Sequence, residues 1–544
     1  MIKSKKKIIG IIVFFIAITL VFFCYKPIIT YDTSNYIYLK EILTGVESFS
    51  NWDNVRGISF PFSIAIFEMI FGKNLFSLSV FPYVYYIAMI IISIMIYKKV
   101  IKNIDFGKKE KIIAIVLYVL FVLVNPLIFG YYHVLLVEFV GMTVALLSCF
   151  LSWEFLNINF KNDKGKYVLY TIIFTILGIM MWHMKQPYFS TILFPLVFAS
   201  LISICKEFKL NNILSKLVSI IIVILGLVIS IIIWNKLMVS QNVTIKEEKT
   251  STGLMSEQLI KGISEYEIVS NITKEYIEDN EYLTEEKKNK ICDLIENDNN
   301  DYFIFENTEN GRVVNTKVVF FENGKISTKD AIFYILETFV KEPGVVIKSY
   351  VRNYLALSDI FMLKYDDTIK HYRIGEIAPY YMLYENALFA HWPYDGDGSI
   401  FLMENKKYTE YMECYEDINE KIPGINDFFY LMRKPANMFY KFVFLLLPML
   451  WVLSIIRLII NRKKYSDKQK NIYNFIVILY SYSFLHIFMH GFLGAPIDRY
   501  AMPATITTYV AIIVEICMII KDIKLTKKMK EKKDGKNISS NSSI

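Results

Sequence analysis

Ten apolar blocks, each roughly 17 to 23 residues long, limit what this chain can become more than any other feature, because each suffices to cross a ~30 Å hydrocarbon core. They run Ile8–Cys24, Phe76–Tyr97, Ile112–Gly130, Val134–Leu156 and Tyr167–His183, then Tyr188–Cys205, Leu217–Trp234, Met438–Ile460, Ile472–His490 and Ala501–Ile520. A soluble globule disperses its apolar residues along the sequence, but here they are gathered into blocks. With 54% hydrophobic residues, 16% aromatic residues and a mean hydropathy of +0.37, the composition points the same way. The expected fold class is an all-α polytopic membrane protein of about ten transmembrane helices, with a large extracytoplasmic α or α+β domain.

Lysine placement predicts the orientation. "KSKKK" precedes the first block, and "YKKVIKNIDFGKKEK", "FKNDKGK", "CKEFK", "RLIINRKKYSDKQK" and "KDIKLTKKMKEKKDGK" occupy every second boundary after it. The alternate short boundaries "YYH", "MKQP" and "GAPIDR" are poor in Lys and Arg. The positive-inside rule then puts both termini in the cytoplasm of a multi-pass plasma-membrane protein. The net charge of +8 therefore reports topology and not nucleic-acid binding. The first block lacks a small-residue cleavage site and reads as a retained helix.

This orientation divides the chain into four parts. Residues 1–235 form a seven-helix module whose first outer loop covers 25–75, and 236–437 form the extracytoplasmic domain. Residues 438–520 form a three-helix module, and 521–544 a basic cytoplasmic tail. In the outer loop, helices along the membrane are expected around Thr33–Leu43 and Phe62–Phe71. In the outer domain, "SEQLIKGISEYEIVSNITKEYI" and "TKDAIFYILETFVKEPGVVIKSYVRNYLAL" have helical apolar spacing, the second amphipathic enough to lie on a membrane surface. "DYFIFENTENGRVVNTKVVFFENGKI" alternates and has hairpin-type breaks. Cys292 and Cys414 fall in this domain, with their pairing left open. No zinc-type spacing, Walker-type loop or Gly-x-Ser-x-Gly elbow is present. Chemistry is thus expected on the outer side.

The polar residues at that edge are Asp32, Tyr36, Arg56, Glu138, Lys185, Asp498, Arg499 and Tyr500. Each has a plain structural explanation: Asp32 as an N-cap for the helix from Thr33, Arg56 and Lys185 as interfacial anchors, Asp498 with Arg499 as a local pair. Glu138 is the hardest to explain so, because a carboxylate inside a span is expensive and usually faces a functional cavity.

Four stretches carry a family resemblance. "RGISFPFSIAIFEMIFGKNLFSLSVFPYVYYIAMIIISIMIY" resembles the "R-x-P-x-Y-P-x-x-L…lfG" stretch of the GT-C polyprenyl-phosphate-sugar glycosyltransferases, which include aminoarabinose and protein O-mannosyl transferases. "NPLIFGYYHVLLVEFVGMTVALLSCFLSWEFL" is similar to that family's "np…llTE" segment, with Val137-Glu138 in the Thr-Glu place. "YTIIFTILGIMMWHMKQPYFSTILFPL" resembles its "G-x-x-x-G-l-a-x-l-x-R-P" segment, with Lys185-Gln186-Pro187 where Arg-Pro is usual. "GAPIDRYAMPA" resembles its "E-R-Y-x-x-P" segment, with Asp498 in the acidic place. The likeness covers Ile8–Ile204 and Met438–Ile520 and leaves the outer domain unmatched. The family often has Asp-Glu in the first outer loop, whereas Asp32 is followed here by Thr33, which leaves a second carboxylate and a divalent cation open.

The resemblance implies an inverting glycosyl transfer from a polyprenyl-phosphate-linked sugar to a cell-surface glycan, wall polymer, lipid or protein. In it Asp32 is the general base on the acceptor hydroxyl. Arg56, Lys185 and Arg499 stabilise the departing phosphate. Glu138 orients one of them or binds sugar hydroxyls, and Tyr36, Asp498 and Tyr500 help to bind substrate. The other expectations are a transporter or flippase of lipid-linked glycans, and a catalytically degenerate GT-C-like partner protein. A transporter calls for ionisable groups through the midplane of several spans; here the charges cluster at one face.

Overall fold

A computed structural model describes residues 2–23, 27, 31–52, 56–104, 107–158, 160–206, 210–243, 306–308, 311–313, 343–358, 423–460, 465–492 and 498–541, with isolated helical positions at 285, 289, 333, 336 and 339–341. Helices dominate. In chain order they are α1 (Ile2–Phe23), α2 (Tyr31–Leu43), α3 (Ser59–Phe71), α4 (Leu75–Ile104), α5 (Lys108–Tyr118), α6 (Pro126–Tyr131) and α7 (Val137–Leu156). They continue with α8 (Lys164–Trp182), α9 (Ser190–Lys206), α10 (Leu210–Ser240), α11 (Pro343–Ser358), α12 (Pro423–Ile460), α13 (Asp467–Phe492) and α14 (Met502–Asn541).

Eight of these helices are long and apolar enough to cross a membrane: Phe76–Ile104, Val137–Leu156, Lys164–Trp182, Gln186–Ser203, Leu214–Ser240, Met438–Ile460, Asp467–Gly491 and Met502–Ile523. The chain is thus a multi-pass α-helical membrane protein. The first expected span, Ile8–Cys24, falls in the 22-residue helix α1, whose apolar stretch Ile12–Phe23 is shorter than the eight. The third, Ile112–Gly130, is not one continuous helix. Helix α5 passes into a π-helical turn at Val119–Leu123 and stops. The Asn125 carboxamide then accepts from the Leu127 N–H at 2.9 Å, Pro126 takes the first turn where no N–H is needed, and α6 starts afresh. Every residue of α6 is buried, so this break is shielded by protein from lipid.

Helix α7 is the hub. It packs on α4, α9, α13 and α14, and 83% of its span is buried inside the protein, against 17% for peripheral α10. A close approach makes this possible at Gly141, where a Cβ would stand 2.9 Å from both Pro503 Cγ and Tyr188 Cε2. The two first-loop helices fall where the amphipathic spacing predicts them. Pro61 lies in the first turn of α3 and starts the helix.

Within 236–437, "SEQLIKGISEYEIVSNITKEYI", Cys292 and Cys414 lie outside the described residues. Those described include an antiparallel pair, β1 (Glu306–Thr308) and β2 (Gly311–Val313), in the register Glu306 to Val313. They also include α11 and the start of α12.

Candidate functional site

In the orientation predicted by the lysines, one end of the bundle is the outer end. Helix α8 finishes there at Trp182, and the chain must reverse before α9. Lys185 takes an extended conformation between the two, followed by a 3-10 turn at Gln186–Phe189 with Pro187 as its second residue. The turn is fixed by Lys185 N–H donating to Met181 O at 3.0 Å and Tyr188 N–H donating to Lys185 O at 2.8 Å.

This conformation carries the Lys185 ammonium to α7. Its Nζ donates to Glu138 Oε1 at 3.1 Å, and Glu138 is 2% exposed while Lys185 is 21% exposed. The expected span began at Val134, but α7 begins at Val137. Glu138 therefore stands in its first turn, where the helix dipole also favours a carboxylate. Lys185 Nζ also rests 3.7 Å from the centroid of the Tyr500 ring and 5.3 Å from that of Tyr188. Tyr500 belongs to the 3-10 turn Asp498–Ala501 that leads into α14. The backbone thus puts Asp498 and Arg499 beside this pair; their side chains lie outside the described residues.

Two histidines that the sequence reading passed over sit behind Tyr500. His486 Nε2 lies 2.9 Å from Tyr500 O, so it carries the proton. In the neutral ring Nδ1 then accepts from Ser190 Oγ at 3.0 Å. His490, one turn further on, faces the Tyr500 ring at 5.2 Å. The only sequence signal for this pair was the four-residue spacing in "LHIFMHG".

The first outer loop closes the other side. Gly57 lies so close to the α8–α9 turn that a Cβ there would fall 2.1 Å from His183 O, and Ser59 N–H donates to that same oxygen at 3.0 Å. Thr33 Oγ1 donates to Leu135 O at 2.8 Å, pinning the start of α2 to the segment just before Glu138. Tyr36 packs on Phe60, and Phe60 on Phe139. The Arg56 guanidinium stands 5.7 Å from the Tyr36 ring centroid. Asp32 is the second residue of α2, inside its first turn, and so is not an N-cap for a helix from Thr33; its side chain lies outside the described residues.

The structure therefore brings Tyr36, Arg56, Glu138, Lys185 and Tyr500 to one end of the bundle, with the backbone of Asp32, Asp498 and Arg499. They form two linked groups, Tyr36 with Arg56 and Glu138 with Lys185 and Tyr500. Phe60, Phe139 and the His183 turn join them.

A buried ion cluster holds α2 in place. Lys40, fully buried, donates to Glu41 beside it and to Glu68 Oε2 on α3 at 2.7 Å, while half-exposed Lys73 reaches Glu41 at 3.1 Å. Burial pushes the Glu68 carboxyl above its ordinary range, with Lys40 opposing the shift. In sequence, Lys40-Glu41 reads as two solvated charges; only the docking of α3 encloses them.

Among the described residues, no three His, Cys, Asp or Glu side chains are grouped so as to hold a metal ion. Comparison of this chain with protein-family models, with curated proteins and with solved structures gives no match.

Proposed function

We propose that this protein is an integral membrane glycosyltransferase that moves a sugar from a polyprenyl-phosphate donor to a cell-envelope acceptor at the outer face. The observation supporting it is the gathering of the first-loop residues Tyr36 and Arg56 and the Glu138–Lys185–Tyr500 group at one end of the bundle, linked through Phe60 and Phe139. Asp32, at the start of the same first-loop helix, takes the proton from the acceptor hydroxyl as its oxygen attacks the anomeric carbon. The bond from that carbon to the phosphate oxygen breaks, and negative charge gathers on the leaving lipid phosphate. Arg56, Lys185 and Arg499 meet that charge, the arginines with a two-pronged grip. Glu138, paired with Lys185, aims the ammonium.

The test is incubation of purified protein with radiolabelled polyprenyl-phosphate sugars and a membrane extract. Transfer of label into an acceptor fraction from at least one donor is expected. No transfer from any donor, with labelled lipid instead crossing the bilayer of reconstituted vesicles, overturns the reading in favour of a flippase.

A further inference from the structure

Helix α11 is docked at the level where two spans end, and it leaves part of its apolar surface uncovered. Val346, Tyr350, Tyr354 and Leu357 recur at helical spacing and turn towards the protein. The Tyr350 ring packs 4.8 Å from Phe488, and Gly491 lies against Tyr350, both near the outer end of α13. Tyr354 OH donates to Phe444 O at 2.6 Å, and Tyr440 OH donates to Leu357 O at 2.9 Å. Tyr440 and Phe444 are inside the membrane-crossing stretch Met438–Ile460, so the last turn of α11 is fixed at the depth of that stretch and not above it.

The next stripe of the same helix is also apolar, yet exposed: Ile347 is 53% and Val351 44% accessible. On α12, against which α11 packs, Met438 and Phe442 are exposed in the same way, and any bilayer around this bundle would cover them. The remaining arc holds Lys348, Ser349, Arg352 and Asn353 together with Val345 and Ala356. A helix with one side on protein, an adjoining apolar stripe uncovered, and its Lys and Arg confined to the remaining arc suits the boundary between protein, acyl chains and water.

We infer that α11 is a membrane-interface helix whose Ile347–Val351 stripe is covered by phospholipid of the outer leaflet. Because α11 also packs on the Asp498–Ala501 turn that carries Tyr500, it forms a lipid-facing wall of the candidate site. This inference stands apart from the glycosyltransferase reading, since it needs only the membrane and the docking of α11.

Single nitroxide labels at 347, 351, 349 and 442, in a background freed of the six native cysteines, test it in phospholipid vesicles. Each variant is first checked for monodisperse elution in detergent. Labels at 347 and 351 should collide with dissolved oxygen and be protected from a water-soluble nickel chelate, as at 442, with the reverse at 349. Free collision of the chelate at 347 and 351 would put the stripe in water and overturn the inference. Protection from both probes would mean that protein covers it, and would overturn the inference equally.

Discussion

The two ends of the helix bundle both hold ionic groups, but they are built differently. At the end opposite the candidate site, Arg457 on α12 pairs with Asp522 at 3.1 Å and Glu515 at 3.6 Å, both on α14. Tyr465 and Tyr473 also donate to Asp522, and Tyr480 donates to Glu515 at 2.8 Å. Each carboxylate there has several donors from neighbouring segments, as in a staple between helix ends. At the candidate site the Lys185 ammonium meets the buried Glu138 carboxylate and rests on the rings of Tyr188 and Tyr500. A Lys ammonium has three donors, and at 21% exposure the Lys185 side chain is within reach of an incoming anion. Redundant pairing of the kind around Asp522 suits a structural role.

The sharpest challenge to this contrast is Asp32→Asn. It keeps the size of the side chain and removes the charge within the first turn of α2, where a helix-dipole contribution amounts to only about 0.3–1 kcal/mol. Expression and insertion should therefore hold. Transfer should fall at least ~100-fold, because general-base assistance typically contributes 10²–10⁴-fold. Donor binding should persist. Near-normal transfer, in an assay where the parent is active, removes Asp32 from the mechanism.

Next comes Lys185→Met, which removes one partner of the buried Glu138 carboxylate. Loss of one partner from a buried pair costs about 3–5 kcal/mol, and the partial exposure of Lys185 puts this case at the lower end. A clear drop in thermal unfolding temperature is expected. Replacing both residues by Gln should recover most of the stability but not the transfer. Recovery of both would return the pair to a purely structural role.

Arg56→Lys and Arg499→Lys keep the charge and lose the planar fork. Turnover should fall on the order of 10-fold to 1,000-fold, the scale for losing one transition-state donor. Unchanged turnover in both makes them interfacial anchors. The smallest effect should come from Arg457→Gln at the inner end. Tyr465, Tyr473 and Tyr480 still donate to the two acids, so the loss should be about 1 kcal/mol, with turnover per folded molecule unchanged. An inner-end loss as large as that of Lys185→Met would erase the distinction between the ends.

Hydropathy and helical spacing alone reached the first-loop helices and eight of the ten expected spans, because these depend on stretches of about 20 residues read locally. They missed the break at Asn125-Pro126. There the apolar run continues through the break, and only the packing of α6 inside the protein makes an interrupted helix tolerable. They also missed the Lys40–Glu41–Glu68 cluster, in which 28 residues separate Lys40 from Glu68.

The sequence by itself thus determined the class of the molecule, a multi-pass helical membrane protein, since apolar length is carried by the chain in order. Tertiary structure decided the partnerships. Glu138 meets Lys185 across 47 residues because the α8–α9 turn folds back on the first turn of α7, and Gly57 lets the first loop close against that turn. His486 joins the group only because α13 and the start of α14 lie side by side. An ion pair is short in space, and one-dimensional pattern contains no term for which helix becomes whose neighbour.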